Sequence, residues 1–205
     1  ARTVAEEMEA SLEKLVALHA SGVEGKGADG FAPVLHHASG RTLDPRTPVI
    51  VGVGQIVQRT PSLDNDPATL AAQALRAAAD DAGATSLLAQ ADAIYAVSSA
   101  SWSYKDQGAA TASVLGIKPA ETVQSAPYGG DAGQLLINNA GQAIADGDAS
   151  VILVCGAEAG NSFAHAQKSG TTPPWPEQPA GTKPTRRLGS DKEANNAAEG
   201  ASGLM

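Results

Sequence analysis

The chain has 205 residues, of which 42% are hydrophobic and 3% are aromatic. This composition is typical of one globular domain, or of one domain with an appendage, whose core is filled by small side chains. A formal net charge of −8 argues against a nucleic-acid or anionic-membrane surface, because such surfaces use clustered Lys and Arg. The single cysteine excludes an intrachain disulfide and a multi-cysteine zinc site. We expect a cytoplasmic protein without a membrane span, a signal peptide or a metal site.

The first 46 residues are predicted to form an extension of the main domain. Apolar residues recur at helical spacing over residues 4–19, with glutamates on the remaining surface, which indicates an amphipathic helix. Glycines between residues 22 and 30 then interrupt the pattern. We therefore expect an N-terminal helix and linker at 1–46 and a domain boundary near residue 47.

The main domain is predicted to begin with a buried strand and a helix. Residues 48–53 are continuous in Val and Ile, as central parallel strands tend to be. The helix is expected to start after the N-cap Asp66, with Pro67 at its first position, and to end at Gly83.

Three further strands and two helices are predicted to alternate after that helix. The pattern indicates strands at 93–98, 122–126 and 150–155, and helices at 107–115 and 132–144. The order β-α-β-α-β-α-β predicts an α/β fold with a parallel sheet and helices on its faces. From residue 156 the periodicity is lost, and proline-rich and polar stretches predict a loop region at 160–205 with no further strand.

Three segments resemble the thiolase superfamily: TPVIVGVG at 47–54, AGQAIADG at 140–147 and SVILVCGAE at 150–158. The resemblance covers roughly residues 47–165 and implies a thiolase-like fold of two similar α/β halves, of which this chain holds most of the first. Residues 47–159 would form that half-domain, and residues 160–205 would begin the loop region that contributes to the family's acyl-CoA site. We expect a second chain or a missing C-terminal half to complete the fold, because an open sheet exposes unpaired backbone groups.

The nucleophilic cysteine of the family has no counterpart in this sequence. The resemblance places that cysteine at the start of the helix predicted at 132–144, where the helix N-terminus lowers the pKa of a thiol. Aligning Gly133 with a glycine of the family assigns the position to Gly130, or to Gly129 or Asp131 if the register differs by one. None of these residues is expected to form an acyl-enzyme, and Asp131 is interpreted as an N-cap or first-turn residue.

Four other residues bear on the site. Tyr128 directly precedes the glycine pair and is a candidate catalytic proton donor. His165 and Lys168 lie in the predicted loop region and are candidates, with residues 129–131, for binding the substrate, because a basic residue there could meet the phosphates of coenzyme A. Cys155 ends an apolar strand and is interpreted as a buried core residue.

Together these residues predict a thiolase-like protein that binds acyl-CoA or a related thioester, needs no other cofactor, and lacks the covalent cysteine step. It resembles the acetyl-CoA acetyltransferases, and the resemblance implies a place in lipid metabolism. Two alternatives stay open. One is a thiolase-fold acyltransferase or retro-aldol-type lyase that works with a second chain or a missing C-terminal half and uses Tyr128. The other is a non-catalytic assembly subunit that docks a partner through the helix at 4–19.

Overall fold

The computed structural model describes residues 46–127 and 129–189, which form a sheet with helices on both faces. The predicted helix at 4–19, the rest of the extension up to residue 45, Tyr128 and residues 190–205 lie outside the described residues. In chain order the elements are α1 (Pro67–Asp81), a 3-10 turn (Thr85–Leu87), β1 (Ala93–Ala96), α2 (Gln107–Leu115), β2 (Glu121–Ser125), α3 (Ala132–Asp146), β3 (Ile152–Cys155), α4 (Gly160–Lys168) and β4 (Arg186–Leu188).

All the strand pairs of this sheet are parallel, and the strand order is β3-β1-β2-β4. The central strand β1 pairs on both sides, with Ala93 opposite Glu121 of β2 and opposite Ile152 of β3. Helix α2 connects β1 to β2, and helix α3 connects β2 to β3. The predicted α/β class with a parallel sheet is therefore confirmed.

The core lies on the two faces of β1, because successive side chains of a strand point to opposite sides. Ile94 packs with Leu75 of α1 and with Cys155 on one face. Tyr95 packs with Leu136 of α3 on the other face. Helices α1 and α3 thus cover opposite faces, and Cys155 lies on the face away from α3.

Side-chain caps explain where the first two helices begin. The carboxylate of Asp66 accepts a 2.7 Å hydrogen bond from the amide of Thr69, and Pro67 occupies the first turn of α1, as predicted. The carboxylate of Asp106 accepts a 2.8 Å bond from the amide of Ala109 at the start of α2. Both interactions satisfy amide groups that have no partner within the helix.

The predicted strand at 48–53 is wrong, because these residues pair with no strand among the described residues. The side chains of Val49, Ile50, Val51 and Val53 are 61–74% exposed. The segment nevertheless lies against α1. A Cβ atom on Gly52 would stand 2.1 Å from the carbonyl oxygen of Ala78, so only glycine permits this approach.

The prediction of a loop region without a further strand after residue 156 is also wrong. Helix α4 follows β3, and β4 adds to the outer side of β2 with Val123 opposite Arg186. Between them runs a proline-rich strap, which we define as residues 171–185. Trp175 of the strap is buried and donates a 2.9 Å hydrogen bond to the carbonyl of Leu63. The strap is therefore fixed to the domain.

Candidate functional site

Gly129 and Gly130 form a turn that leads into α3, which we call the glycine turn. Gly129 has φ = +131°, a conformation that residues with a Cβ rarely adopt, and Gly130 is exposed. Apart from its chain neighbours, no described residue would have an atom within 4 Å of a Cβ atom on Gly130. Open space therefore lies in front of the amino end of α3, where the helix dipole favours a negative charge or a carbonyl oxygen.

Asp131 occupies the N-cap position of α3 but does not cap it. Its side chain makes no capping hydrogen bond, and its backbone dihedrals of −92° and −2° are helical rather than extended. A carboxylate oxygen instead lies 2.7 Å from the point where a Cβ atom on Gly129 would stand. The carboxylate thus lies over the glycine turn, and the amides of the first turn gain no side-chain acceptor from it.

The end of β4 lies beside this turn. The amide of Ala126 donates a 2.6 Å hydrogen bond to the carbonyl of Leu188. A Cβ atom on Gly189 would be 3.1 Å from the Cβ of Ala126 and 3.8 Å from a methyl carbon of Leu135 in α3. The strap lies in the predicted loop region, whereas β4 was not predicted. Together they bring residues 188 and 189 next to the amino end of α3.

A polar layer covers the carboxyl ends of β1 and β2. The hydroxyl of Ser98 donates a 2.6 Å hydrogen bond to the carbonyl of Ser125, and the hydroxyl of Ser125 accepts a 2.9 Å bond from the amide of Ser98. The amide of Gln107 donates a 2.7 Å bond to the side-chain carbonyl of Gln124. Because Ser125, Gln107 and Gln124 are buried, these bonds fix the loop after β1 against the start of α2.

Glu158 ties the loop after β3 to the loop after β1. Its carboxylate accepts hydrogen bonds from the amides of Ala100 and Ser101 and from the hydroxyl of Ser99. Partial burial raises the pKa of this carboxyl group, but the hydrogen bonds outweigh burial, so the pKa lies below its ordinary value. Glu158 is therefore anionic at neutral pH. In the sequence, Glu158 stands out only as part of the SVILVCGAE segment, and its position after a predicted strand was the available signal.

The candidate substrate-binding residues of α4 are separate from the glycine turn. His165 and Lys168 are exposed in the last turn of α4, which follows β3, whereas the glycine turn follows β2. Strand β1 lies between those two strands. Among the described residues, no hydrogen bond or ion pair joins His165 or Lys168 to residues 129–131, so their role in binding stays a prediction. The predicted role of Tyr128 also stays untested, because Tyr128 is outside the described part of the chain.

Cys155 is buried at the end of β3. Burial raises the pKa of its thiol to about 12, against a smaller opposing effect of the Thr111 hydroxyl. The thiol is therefore protonated at neutral pH and faces away from α3. A search of residues 46–127 and 129–189 finds no group of three His, Cys, Asp or Glu side chains that could hold a metal ion.

Two cavities lie near the carboxyl ends of the strands. The first, of about 250 Å³, is bounded by Gly54, Ile56 and Glu158 among others. The second is a cleft of about 410 Å³ between the loop after β1 and the strap, bounded by Trp102, Phe163 and Gln178 among others. Residues 129–131 line neither cavity. No helix within the described ranges has the length and the apolar character needed to cross a membrane.

Comparison with known proteins gives a structural similarity but no match to a family model or a curated protein. Among solved structures, the chain is similar to a monomeric SCP2-thiolase-like protein type 1 from Mycobacterium smegmatis, with 32% sequence identity and a TM-score of 0.47. The match covers 54% of this chain and 23% of that chain.

Proposed function

We propose that the chain contains a thiolase-like half-domain that binds acyl-CoA, or a related thioester, at the amino end of α3 without being acylated by it. The observation that carries the proposal is the exposed Gly130, which stands at the start of α3 with open space in front of it. The three sequence segments that resemble the thiolase superfamily give the class of ligand. The amides of the first turn and the helix dipole would polarise the thioester carbonyl.

The absence of an acyl-enzyme follows from the chemistry of the available groups. A thioester is attacked by a thiolate, and Cys155 is the chain's one cysteine. Its thiol is buried and its pKa is raised to about 12, so it supplies almost no thiolate at neutral pH. Asp131 carries a carboxyl group, and a carboxylate is a weaker nucleophile toward thioesters than a thiolate is. Binding without covalent transfer is therefore the function that these groups support best.

Calorimetry with acetyl-CoA and with coenzyme A tests the proposal directly. We expect binding of both ligands, and no acyl adduct on the protein by mass spectrometry. Gly130→Leu should weaken binding by about tenfold or more, because the side chain fills the space in front of α3 and excludes the carbonyl from the amides.

Gly160→Leu is the matched control. Gly160 is likewise exposed at a helix amino end, as the first residue of α4, whereas Gly130 lies two residues before α3. Apart from its chain neighbours and the backbone of its own helix, no described residue would have an atom within 4 Å of a Cβ atom on Gly160. This variant should bind acetyl-CoA as the wild type does. No binding by the wild-type protein at millimolar ligand, or equal weakening by the two substitutions, would refute the proposed site.

We also propose that a strand from outside residues 46–189 completes the sheet at β3. Strand β3 pairs only with β1 in the described part of the chain, so its outer edge is open. The cavity of about 250 Å³ lies between residues of the apolar segment at 49–57 and the loop after β3, so this segment is near that edge. The large apolar side chains of the segment are exposed there. An extended apolar strand would satisfy both the backbone groups and the side chains. A second chain or a second half of the same protein would supply it.

A further inference from the structure

The strap is attached to the domain in two different ways along its length. Trp175 is 6% exposed, packs edge-to-face on Trp102 with ring centroids 5.4 Å apart, and holds one end by burial. Pro184 is buried near the other end, where Thr185 exchanges backbone and hydroxyl hydrogen bonds with Thr122 of β2. Burial of apolar surface at both ends makes these anchors costly to release.

Between these anchors, residues 176–180 are held mainly by hydrogen bonds. The side-chain amide of Gln178 exchanges two bonds with the backbone of Asp106, at 2.9 Å and 2.7 Å. The ammonium of Lys105 donates bonds of 2.9 Å and 3.0 Å to the carbonyls of Gln178 and Pro179. Residues 176, 177, 179 and 180 are exposed, so opening this stretch would uncover little apolar surface.

The stretch also ends at a residue suited to a hinge. Gly181 has φ = +87°, and apart from its chain neighbours no described residue would have an atom within 4 Å of a Cβ atom on it. Beneath the stretch lies the cleft of about 410 Å³, whose walls include Trp102 and Phe163 from the domain and Glu177 and Gln178 from the strap. The strap residues that close the cleft, Glu177 and Gln178, thus belong to the stretch that is held mainly by hydrogen bonds.

We propose that residues 176–180 form a lid over this cleft and move between the anchor Trp175 and the hinge Gly181. The lid is held shut by Lys105, by Gln178 and by the indole N–H of Trp102, which donates a 3.2 Å hydrogen bond to the carbonyl of Pro176. The lid opens as a unit, because Lys105 and Asp106 are adjacent in the chain and bind the same short stretch of strap. The proposed function places the thioester carbonyl at the amino end of α3, and residues 129–131 do not line this cleft, so the lid would close over another part of the same ligand. The existence of the lid rests on the contacts of the strap.

Amide hydrogen exchange measured by NMR on the complete chain tests the lid. The amide of Asp106 is bonded to the side chain of Gln178, whereas the amide of the next residue, Gln107, is bonded to the buried Gln124. In the wild type we expect Asp106 to exchange faster than Gln107. Lys105→Met leaves the bonds between Asp106 and Gln178 intact. It should nevertheless speed the exchange of the Asp106 amide by about tenfold, because the two hydrogen bonds from Lys105 to the lid are lost. Gln107 should not change.

Lys183→Met is the control, since Lys183 is an exposed lysine of the strap beyond the hinge. It should leave the exchange of Asp106 unchanged. The lid is refuted if Lys105→Met does not speed the exchange of Asp106, or if the amides of Asp106 and Gln107 exchange at one common rate in the wild type. The wild-type comparison decides the matter if the variant does not fold.

Acetyl-CoA at saturating concentration separates the lid from the proposed function. Slower exchange of Asp106 in the bound protein supports a lid that gates the thioester. Unchanged exchange in a protein that binds acetyl-CoA refutes the gating and leaves the proposed function standing. If acetyl-CoA does not bind, the proposed function fails, and the Lys105→Met result still decides whether the lid exists.

Discussion

Gly130 and Cys155 offer opposite environments for a thiol, although both are near the carboxyl edge of the sheet. Gly130 is exposed at the start of α3, where the helix dipole stabilises a thiolate, and Cys155 is buried on the other face of the sheet. We predict that Gly130→Cys creates a thiol whose pKa is about one unit or more below the ordinary value near 8.5. The pH dependence of its alkylation rate by iodoacetamide measures this pKa.

Asp146→Cys places the comparison thiol at the other end of the same helix, where the dipole disfavours an anion. Its pKa should lie at or above the ordinary value. Cys155 should add no background to either measurement, because burial raises its pKa to about 12. Equal pKa values for the two introduced thiols would mean that the amino end of α3 does not stabilise negative charge, and the proposed polarisation of a thioester would lose its basis.

The aspartates before α1 and α3 occupy the same position relative to their helices but make different contacts. Asp66 bonds the amide of Thr69 and also accepts a 2.7 Å hydrogen bond from the hydroxyl of the buried Tyr104. Asp131 makes no capping bond. We predict that Asp66→Ala lowers the free energy of unfolding by about 1–3 kcal/mol, because it removes a cap and leaves the buried hydroxyl group of Tyr104 without the acceptor for its proton.

The matched substitution Asp131→Ala should change that free energy by less than about 0.5 kcal/mol, as expected for an exposed side chain without a structural role. Urea denaturation of the two variants and the wild type measures both quantities. A loss at Asp131 as large as that at Asp66 would show that Asp131 caps α3 in solution.

The sequence predicts elements whose signals are local and misses those that depend on a distant partner. Helix α1 was predicted to start after Asp66 because a cap and a proline in the first turn act within four residues. The strand at 48–53 was predicted from its run of Val and Ile, but a strand forms only where a neighbour pairs with it, and the described residues provide none. Strand β4 was missed because Arg186 and Arg187 give no apolar pattern, and the strand exists through its pairing with β2.

The candidate site was likewise predictable only where its signals are local in the sequence. The glycine turn was located because it directly precedes a periodic helix, and the structure places it at the amino end of α3. Its surroundings were not predictable, because Leu188 and Gly189 reach it through a strap that has no regular period. Glu158 was missed as a loop-fixing residue because its three partners lie 57–59 positions earlier in the chain.

At the scale of the whole molecule, the described domain leaves the apolar segment at 49–57 uncovered. The large apolar side chains of this apolar segment are 42–74% exposed: Val49, Ile50, Val51, Val53, Ile56 and Val57. Monomeric proteins rarely expose contiguous apolar patches of this kind, and such patches mark interfaces. We therefore predict that residues 1–205 alone bind the dye ANS and self-associate at micromolar concentration.

A triple substitution of Val49, Val51 and Val53 to Thr tests the cause of this behaviour. Threonine keeps the branched Cβ of valine and adds a hydroxyl, so it lowers the apolar area while retaining the backbone preference. We expect less dye binding and less association by sedimentation, with the free energy of unfolding changed by less than about 1 kcal/mol, because exposed side chains contribute little to stability. Ile94→Thr, at a site with 0% exposure, should instead cost about 2–4 kcal/mol. A triple variant as unstable as Ile94→Thr would show that the segment is buried in solution, and the proposed completion of the sheet by an outside strand would then be wrong.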